Sequence, residues 1–250
     1  MNFESYKPAY DREGFVVVRQ FLAPSDFAEL TRELGRFIRE VVPTLPDKYA
    51  FYDDKSRPET LKQLQHMDVE PFFREYRSHP AWRKLAKSLV GEDVEAMAPE
   101  WFNKPPKTSK QTPPHQDNYY FCLKPPHVIT IWLALDDVDD GNGCLRYVRG
   151  SHLRPIRLHN RSNILGFSQG ITDYGLADEA LEERVHLQPG DIVAHHGNTI
   201  HRADANASPT RNRRAFAMVF KGVSCRRDEE AFSRYEAALK QQHEQLGLKT

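Results

Sequence analysis

The chain carries eleven histidines, and the useful question is which of them could meet at one atom. The best local group is His115-Gln116-Asp117, inside QTPPHQDNYY. In an extended segment, residues i and i+2 point to the same side, so His115 and Asp117 can face one interior point. Pro113 and Pro114 stiffen the approach. One imidazole and one carboxylate leave a catalytic metal site incomplete, so a third ligand has to come from elsewhere. The candidates are His186, His195, His196 and His201. In PGDIVAHHGNTIHRAD, His195 alternates with Val193 and can face the core, while His196 faces the other way. His201 opens the segment that leads into the last long strand. Spacing ranks His195 and His201 equally. Two histidines and a carboxylate with open positions are the signature of a non-haem Fe(II) oxygenase. An all-histidine zinc site would instead hold one water for hydrolysis, and spacing does not separate the two metals. The competing reading is a surface turn in which Asp117 and Asn118 cap backbone amides.

These residues need a scaffold. FVVVR (15–19) reads as a strand. Asp26 with Glu29 suggests a capping box, and Phe27, Leu30, Leu34, Phe37, Ile38 and Val41 recur at helical spacing until Pro43 and Pro46. The stretch 44–69 reads as a mixed, polar loop with room for one short element. A second helical region, 70–89, is divided by Pro80. After Gly91 come seven short apolar or alternating runs: 94–103, 118–123, 128–135, 144–148, 184–188, 191–195 and 213–221. They predict an antiparallel sandwich or barrel. Segment 155–182 is a long excursion with Gly166, Gly170 and Gly175, suited to a lid over one end. Residues 229–246 form a closing helix. The expectation is a single domain over 1–250: helical support in 1–93, a β core in 94–221, and that last helix.

Composition removes other classes. Lys plus Arg and Asp plus Glu are both 35, so the chain lacks the positive footprint of a nucleic-acid-coating protein. RNRR (211–214) runs directly into a strand and is no basic tail. No apolar run approaches the roughly 20 residues of a membrane helix. The polar N-terminus lacks a signal-peptide apolar region, which predicts a cytoplasmic protein. Cys122, Cys144 and Cys225 form neither a disulfide framework nor a metal knuckle and read as buried small hydrophobes. No obligate protein partner is inferred.

Three stretches together resemble the phytanoyl-CoA dioxygenase family, the PhyH-like Fe(II)/2-oxoglutarate oxygenases. They are TPPHQDNYY, TIWLALDDVDDGNGCLRYVRGSH (130–152) and PGDIVAHHGNTIHRADANASPTRNRRAF (189–216). The likeness spans roughly residues 95–220. It implies a mainly β fold with flanking helices, a double-stranded β-helix (jelly roll, cupin-like). It also implies Fe(II) as cofactor, held by His115, Asp117 and His201, with 2-oxoglutarate and O2 as cosubstrates. The match breaks the tie in favour of His201 and leaves His195 and His196 as neighbours of the ligands or of the substrate. The family's 2-oxoglutarate arginine falls on Arg213, with Arg211 and Arg214 as alternatives. Ala203 stands where such proteins often have Ser, so Thr130 or a residue of 101–103 is left to complete the cosubstrate site. Related halogenases have a small residue at the carboxylate position; Asp117 keeps the acid, which favours hydroxylation.

The resemblance implies decarboxylation of 2-oxoglutarate to succinate and CO2, coupled to hydroxylation of a C–H bond. Gln116, Asn118, Tyr119, Tyr120, Trp132, Arg157 and His196 are the substrate-binding candidates. Tyr119 and Tyr120 could build half a cage for a quaternary ammonium. Arg157, His159, Arg161 and Asn163 lie on the predicted lid. Lys104, Lys107, Lys110 and Lys124 flank the HxD segment and could favour an anion. The expected substrate is a small polar metabolite, zwitterionic or a phosphonate, with an acyl-CoA ester as the alternative. The rival classes are a jelly-roll metal hydrolase, a metal-free binding module and a nucleic-acid oxygenase.

Overall fold

Alternation along two long strands sets the architecture. In Val128–Ala134, every residue is buried, yet Ile129, Ile131 and Leu133 belong to one apolar cluster while Trp132 and Ala134 belong to another. Arg213–Gly222 behaves alike: Phe216, Met218 and Phe220 face the first cluster, Ala215 and Ala217 the second. The period of two thus separates a helix-facing layer from a second layer, where the small side chains of Ala215 and Ala217 alternate with those of the first.

A computed structural model describes residues 2–107, 111–164 and 167–246. The strands are β1 (Phe15–Val18), β2 (Ala50–Tyr52), β3 (Leu61–Leu64), β4 (Val94–Ala96), β5 (Glu100–Lys104), β6 (Thr112–His115), β7 (Leu123–Lys124), β8 (Val128–Ala134), β9 (Leu145–Val148), β10 (His159–Ile164), β11 (Phe167–Ile171), β12 (Glu182–Val185), β13 (Ile192–His196), β14 (His201–Ala203), β15 (Arg213–Gly222) and β16 (Arg226–Arg227). The helices are α1 (Lys7–Glu13), α2 (Pro24–Arg36), α3 (Pro71–Tyr76), α4 (Pro80–Val90), α5 (Asn118–Phe121), α6 (Leu176–Glu179) and α7 (Glu229–Leu246). An eight-stranded sheet runs β1-β13-β8-β15-β5-β3-β2, with β4 paired to β15 beyond β5. A four-stranded sheet runs β12-β9-β14-β6, and β10-β11 and β16-β7 are two-stranded.

Helices α2 and α4 supply Leu30, Leu34, Trp82, Leu85 and Leu89 to the outer face of the large sheet. Trp82 meets Phe216 edge to face at 5.8 Å, and each such buried side chain contributes about 1.5–3 kcal/mol. The inner face packs on the small sheet, where Trp132, Val193, Ala215 and Ala217 join Leu145, Tyr147, Val185 and Ala203.

The expected double-stranded β-helix is corrected here. Among the described residues no sheet closes on itself: β1 and β2 end the large sheet, β12 and β6 end the small one, and the fold is mixed α/β with several open sheets. Strand count and alternation encode which face is buried, not whether edges join. Three local expectations also change. Segment 44–69, read as a loop, contributes β2 and β3 to the large sheet's edge. NYYFCL (118–123), read as a strand, is mostly the helical turn α5, closed by Cys122 in the left-handed region. The first long helix begins at Pro24 with no side-chain cap, so Asp26 and Glu29 form no capping box. Pro80 does divide the second helical region, into α3 and α4. All three cysteines are buried and free. Among the described residues, no helix is long and apolar enough to cross a membrane.

Two glycines shape the site's surroundings. Gly143, in the Asn-Gly turn before β9, has φ +84°, and a Cβ there would lie 2.5 Å from the Asp204 carbonyl oxygen. Gly197, just after β13, lets β8 approach: a Cβ would meet Val128 Cγ1 at 2.3 Å.

Candidate metal centre

Two ranks of side chains face each other between the sheets. Across the small sheet, His115 pairs with His201 and His201 with Tyr147, so all three project from the same face. Across the large sheet, Phe15 pairs with His195 and His195 with Thr130. The ranks touch: Phe15 stacks on Tyr147 at 4.6 Å between ring centres, and the His195 and His201 rings are 4.4 Å apart. Asp117 stands between them. It is not in an extended strand, as the alternation argument assumed; its φ of −57° and ψ of −38° place it at the head of α5, just past the end of β6. That turn swings the carboxylate back toward His115.

The carboxylate Oδ1 of Asp117 lies 3.5 Å from Nε2 of His115 and 3.5 Å from Nε2 of His201. One donor atom from each of these three residues lies within 4.8 Å of the other two, close enough to share an ion roughly 2 Å from each. Both imidazoles are set for this. Nδ1 of His115 is 2.8 Å from the Pro113 carbonyl oxygen, and Nδ1 of His201 is 3.0 Å from that of Thr199. A carbonyl only accepts, so each Nδ1 carries the proton and each Nε2 keeps its lone pair for a metal. Burial holds the His201 pKa well below its ordinary value. Burial alone would push the Asp117 carboxyl up, but the surrounding histidines, with His195 Nε2 in hydrogen-bond contact with Oδ2, hold it well below the usual carboxylate range. Neutral imidazole and ionised carboxylate are the forms that ligate. Two nitrogens and one oxygen on one side of a cavity form the facial set of non-haem iron enzymes, so the donors fit Fe(II).

The cavity beside this triad has a volume of about 130 Å³. Thr130, Trp132 and Arg213 line it. Arg213 opens β15 and pairs in register with Lys104 on β5. Its guanidinium is buried, sits 5.2 Å from the Trp132 ring centre, and has an Nε with no hydrogen-bond partner among the described residues. Burial pushes its pKa down to about 10, so it remains charged at neutral pH. A buried cation of this kind is a receptor for a carboxylate. The alternatives are engaged elsewhere: Arg211 pairs with Asp139 at 2.7 Å and Arg214 with Asp136 at 2.6 Å, both at the surface. Thr130 reaches the cavity, but its hydroxyl donates to Asp117 Oδ2 at 2.6 Å.

Most of the expected substrate contacts point elsewhere. Gln116 is fully buried; its amide donates to the Asn198 carbonyl at 2.8 Å and accepts from the Arg157 backbone N–H at 2.9 Å. Asn118 ties both ends of its amide to Leu123. Tyr119 stacks on His159 at 4.0 Å and donates to the Gln169 side chain, while Tyr120 donates to the Gln169 backbone carbonyl. The two rings meet edge on, at 88°, beside the hairpin β10-β11 rather than as walls of the cavity. Arg157 is held by Asp173 and Asp178. His196 faces the opposite side, toward Tyr10 and His152. Of these candidates only Trp132 lines the cavity. Lys110, Gly166 and the side chains of Arg161 and Asn163 lie outside the described residues. Sequence reasoning missed Asp53, Lys62 and Gln63, which line the cavity from the segment read as a loop. Their only signal was polar residues in a stretch without period.

The sequence profile of the phytanoyl-CoA dioxygenase (PhyH) family matches residues 10–215. The peroxisomal phytanoyl-CoA dioxygenase of Bos taurus is 28% identical over 235 residues, covering 86% of this chain and 67% of the relative. The chain thus spans about two thirds of that protein's length. Among solved structures, the epimerase SnoN in complex with Fe3+, alpha ketoglutarate and nogalamycin RO superposes with a TM-score of 0.71 at 23% identity, covering 89% of this chain and 84% of that one. EctD from S. alaskensis with 2-oxoglutarate and 5-hydroxyectoine gives 0.71 at 16% identity, covering 88% and 76%. Both similarities are of fold.

Proposed function

Because the chain belongs to the phytanoyl-CoA dioxygenase (PhyH) family, an Fe(II)- and 2-oxoglutarate-dependent dioxygenase family, we propose that it hydroxylates a C–H bond of a small polar metabolite bearing an anionic or zwitterionic group. His115, Asp117 and His201 would hold the iron. Arg213 would receive the distal carboxylate of 2-oxoglutarate, since a guanidinium fork matches a carboxylate. Bound iron and 2-oxoglutarate supply the oxidising power, using O2 to convert the 2-oxo acid to succinate and CO2. The chain's own residues place the reactants and keep water out. Trp132 and Leu145 supply apolar wall beside Arg213, where a low local dielectric strengthens the pull of its charge on a carboxylate.

The observation that carries the substrate class is the composition of the remaining cavity wall. Lys62 and Asp53 stand together at 3.2 Å, and Gln63, Asn103 and Gln111 add amides. Opposite charges side by side complement a zwitterion. The acyl-CoA reading draws on the bovine relative's name. A panel of betaines, amino acids, small phosphonates and acyl-CoA esters, scored by succinate release above the uncoupled background, tests the reading. Stimulation by a zwitterion or phosphonate supports it; stimulation by acyl-CoA esters alone overturns it.

A further inference from the structure

We propose that His195 is a positioning residue for Asp117: it occupies one carboxylate oxygen so that only the other faces the metal. The inference rests on the iron-site reading above. The two oxygens of Asp117 have different surroundings. Oδ1 faces the Nε2 atoms of both ligand histidines at 3.5 Å. Oδ2 turns to the large sheet, where Thr130 Oγ1 lies at 2.6 Å and His195 Nε2 at 3.0 Å. Both donors arrive from adjacent strands, since His195 and Thr130 are paired across β13 and β8.

An ionised carboxylate only accepts, so the proton between Nε2 and Oδ2 resides on His195. That Nε2 therefore has no lone pair for an ion, which explains why a third imidazole so near the triad stays out of the ligand set. Its other nitrogen is also engaged: the Tyr147 hydroxyl lies 3.0 Å from Nδ1. In the neutral ring that nitrogen accepts, and Tyr147 donates. Tyr147 is fully buried and stacked between Phe15 and His201, so the hydroxyl is fixed. The chain Tyr147–His195–Asp117 thus sets one tautomer and one rotamer. A carboxylate held this way binds through one oxygen. A chelating carboxylate or a fourth ligand would take a position that the 2-oxo acid and O2 require.

The test measures metal binding, not turnover. Mn(II) affinity of the purified full chain is measured under argon for the wild type, His195→Phe, His195→Gln and Thr130→Val. Phenylalanine keeps the ring and removes the donor; glutamine can present an N–H near the Nε2 position. Loss of an outer hydrogen bond to a ligand typically weakens binding by about 10–100-fold, and His195→Phe and Thr130→Val should each do so, while His195→Gln stays within about threefold of the wild type. The visible band of the Fe(II)–2-oxoglutarate complex should shift in His195→Phe and return in His195→Gln. Wild-type affinity and spectrum in folded His195→Phe overturn the proposal. Where circular dichroism shows that variant unfolded, wild-type affinity in Thr130→Val, or a His195→Gln protein that loses the metal, overturns it equally. Failure of the wild type to bind Mn(II) overturns the iron-site reading instead.

Discussion

Replacing Arg213 by methionine should separate binding from stability, with opposite signs. Burial moves the Arg213 pKa from 12.5 to about 10, and no carboxylate among the described residues pairs with it. That depression corresponds to about 3.5 kcal/mol of unfavourable charge burial, at about 1.4 kcal/mol per tenfold change in proton affinity. An arriving carboxylate relieves this cost; an apolar side chain of similar length removes it. The R213M apoprotein should therefore be more stable than the wild type, by about 1–2 kcal/mol after the lost contact with Trp132 is allowed for. The same protein should lose about 2–3 kcal/mol of 2-oxoglutarate binding, roughly 30–150-fold in Kd. Urea titration of the apoprotein gives the first quantity, and calorimetric titration of 2-oxoglutarate into Mn(II)-loaded protein gives the second. R211Q and R214Q break surface ion pairs and should change 2-oxoglutarate affinity by less than about threefold. An R213M protein that binds 2-oxoglutarate like the wild type, or an R211Q protein that does not bind it, refutes the assignment.

Mn(II) at a hundredfold excess over its Kd should stabilise the folded chain by about 2.7 kcal/mol, or roughly 5–10 °C in Tm, and Asp117→Ala should abolish that shift in a thermal melt. His159 is buried, and burial lowers its pKa from 6.5 to about 4. The unfolded chain then takes up this proton first, so the contribution is complete above about pH 6.5 and is lost as pH falls towards 4, up to about 3 kcal/mol; urea midpoints across that window should fall less steeply in His159→Gln, and parallel curves would count against burial as the cause. Asp191 is 1% exposed and accepts from the backbone N–H groups of Gln20 and Gln188, each at 2.9 Å. Asp191→Ala should cost about 2–4 kcal/mol in urea unfolding, with Asp191→Asn costing less. Lys62→Met should raise the KM for the stimulating substrate while leaving that for 2-oxoglutarate unchanged.

The metal ligands were legible because their types are few and their chemistry is specific. Even so, the local argument for Asp117 was incomplete: an alternating strand was assumed, and a turn does the work. His195 and His201 could not be ranked by spacing because both reach the centre, from opposite sheets, and one is used as donor and the other as acceptor. The arginine depended on long-range pairing. Arg211, Arg213 and Arg214 differ by where Asp139 and Asp136 fall, about 75 residues earlier in the chain. The partners of Gln116 and Asn118 are hidden for the same reason; a polar residue beside a ligand looks like a substrate contact until its backbone partners are known. Sheet closure was not legible at all. Burial periodicity names the faces of a strand, while edge pairing depends on the relative placement of segments that share no local signal.

The opposed ranks have a mechanical meaning. Both ligand imidazoles come from neighbouring strands of the small sheet, while the groups that brace the carboxylate come from the large one. Without an ion, three imidazoles and an acid share one buried seam between the sheets. A metal seated there works as a rivet through that seam, so emptying the centre should loosen the smaller sheet first. Protease nicks between residues 140 and 205, slowed by Mn(II), would mark where the seam opens.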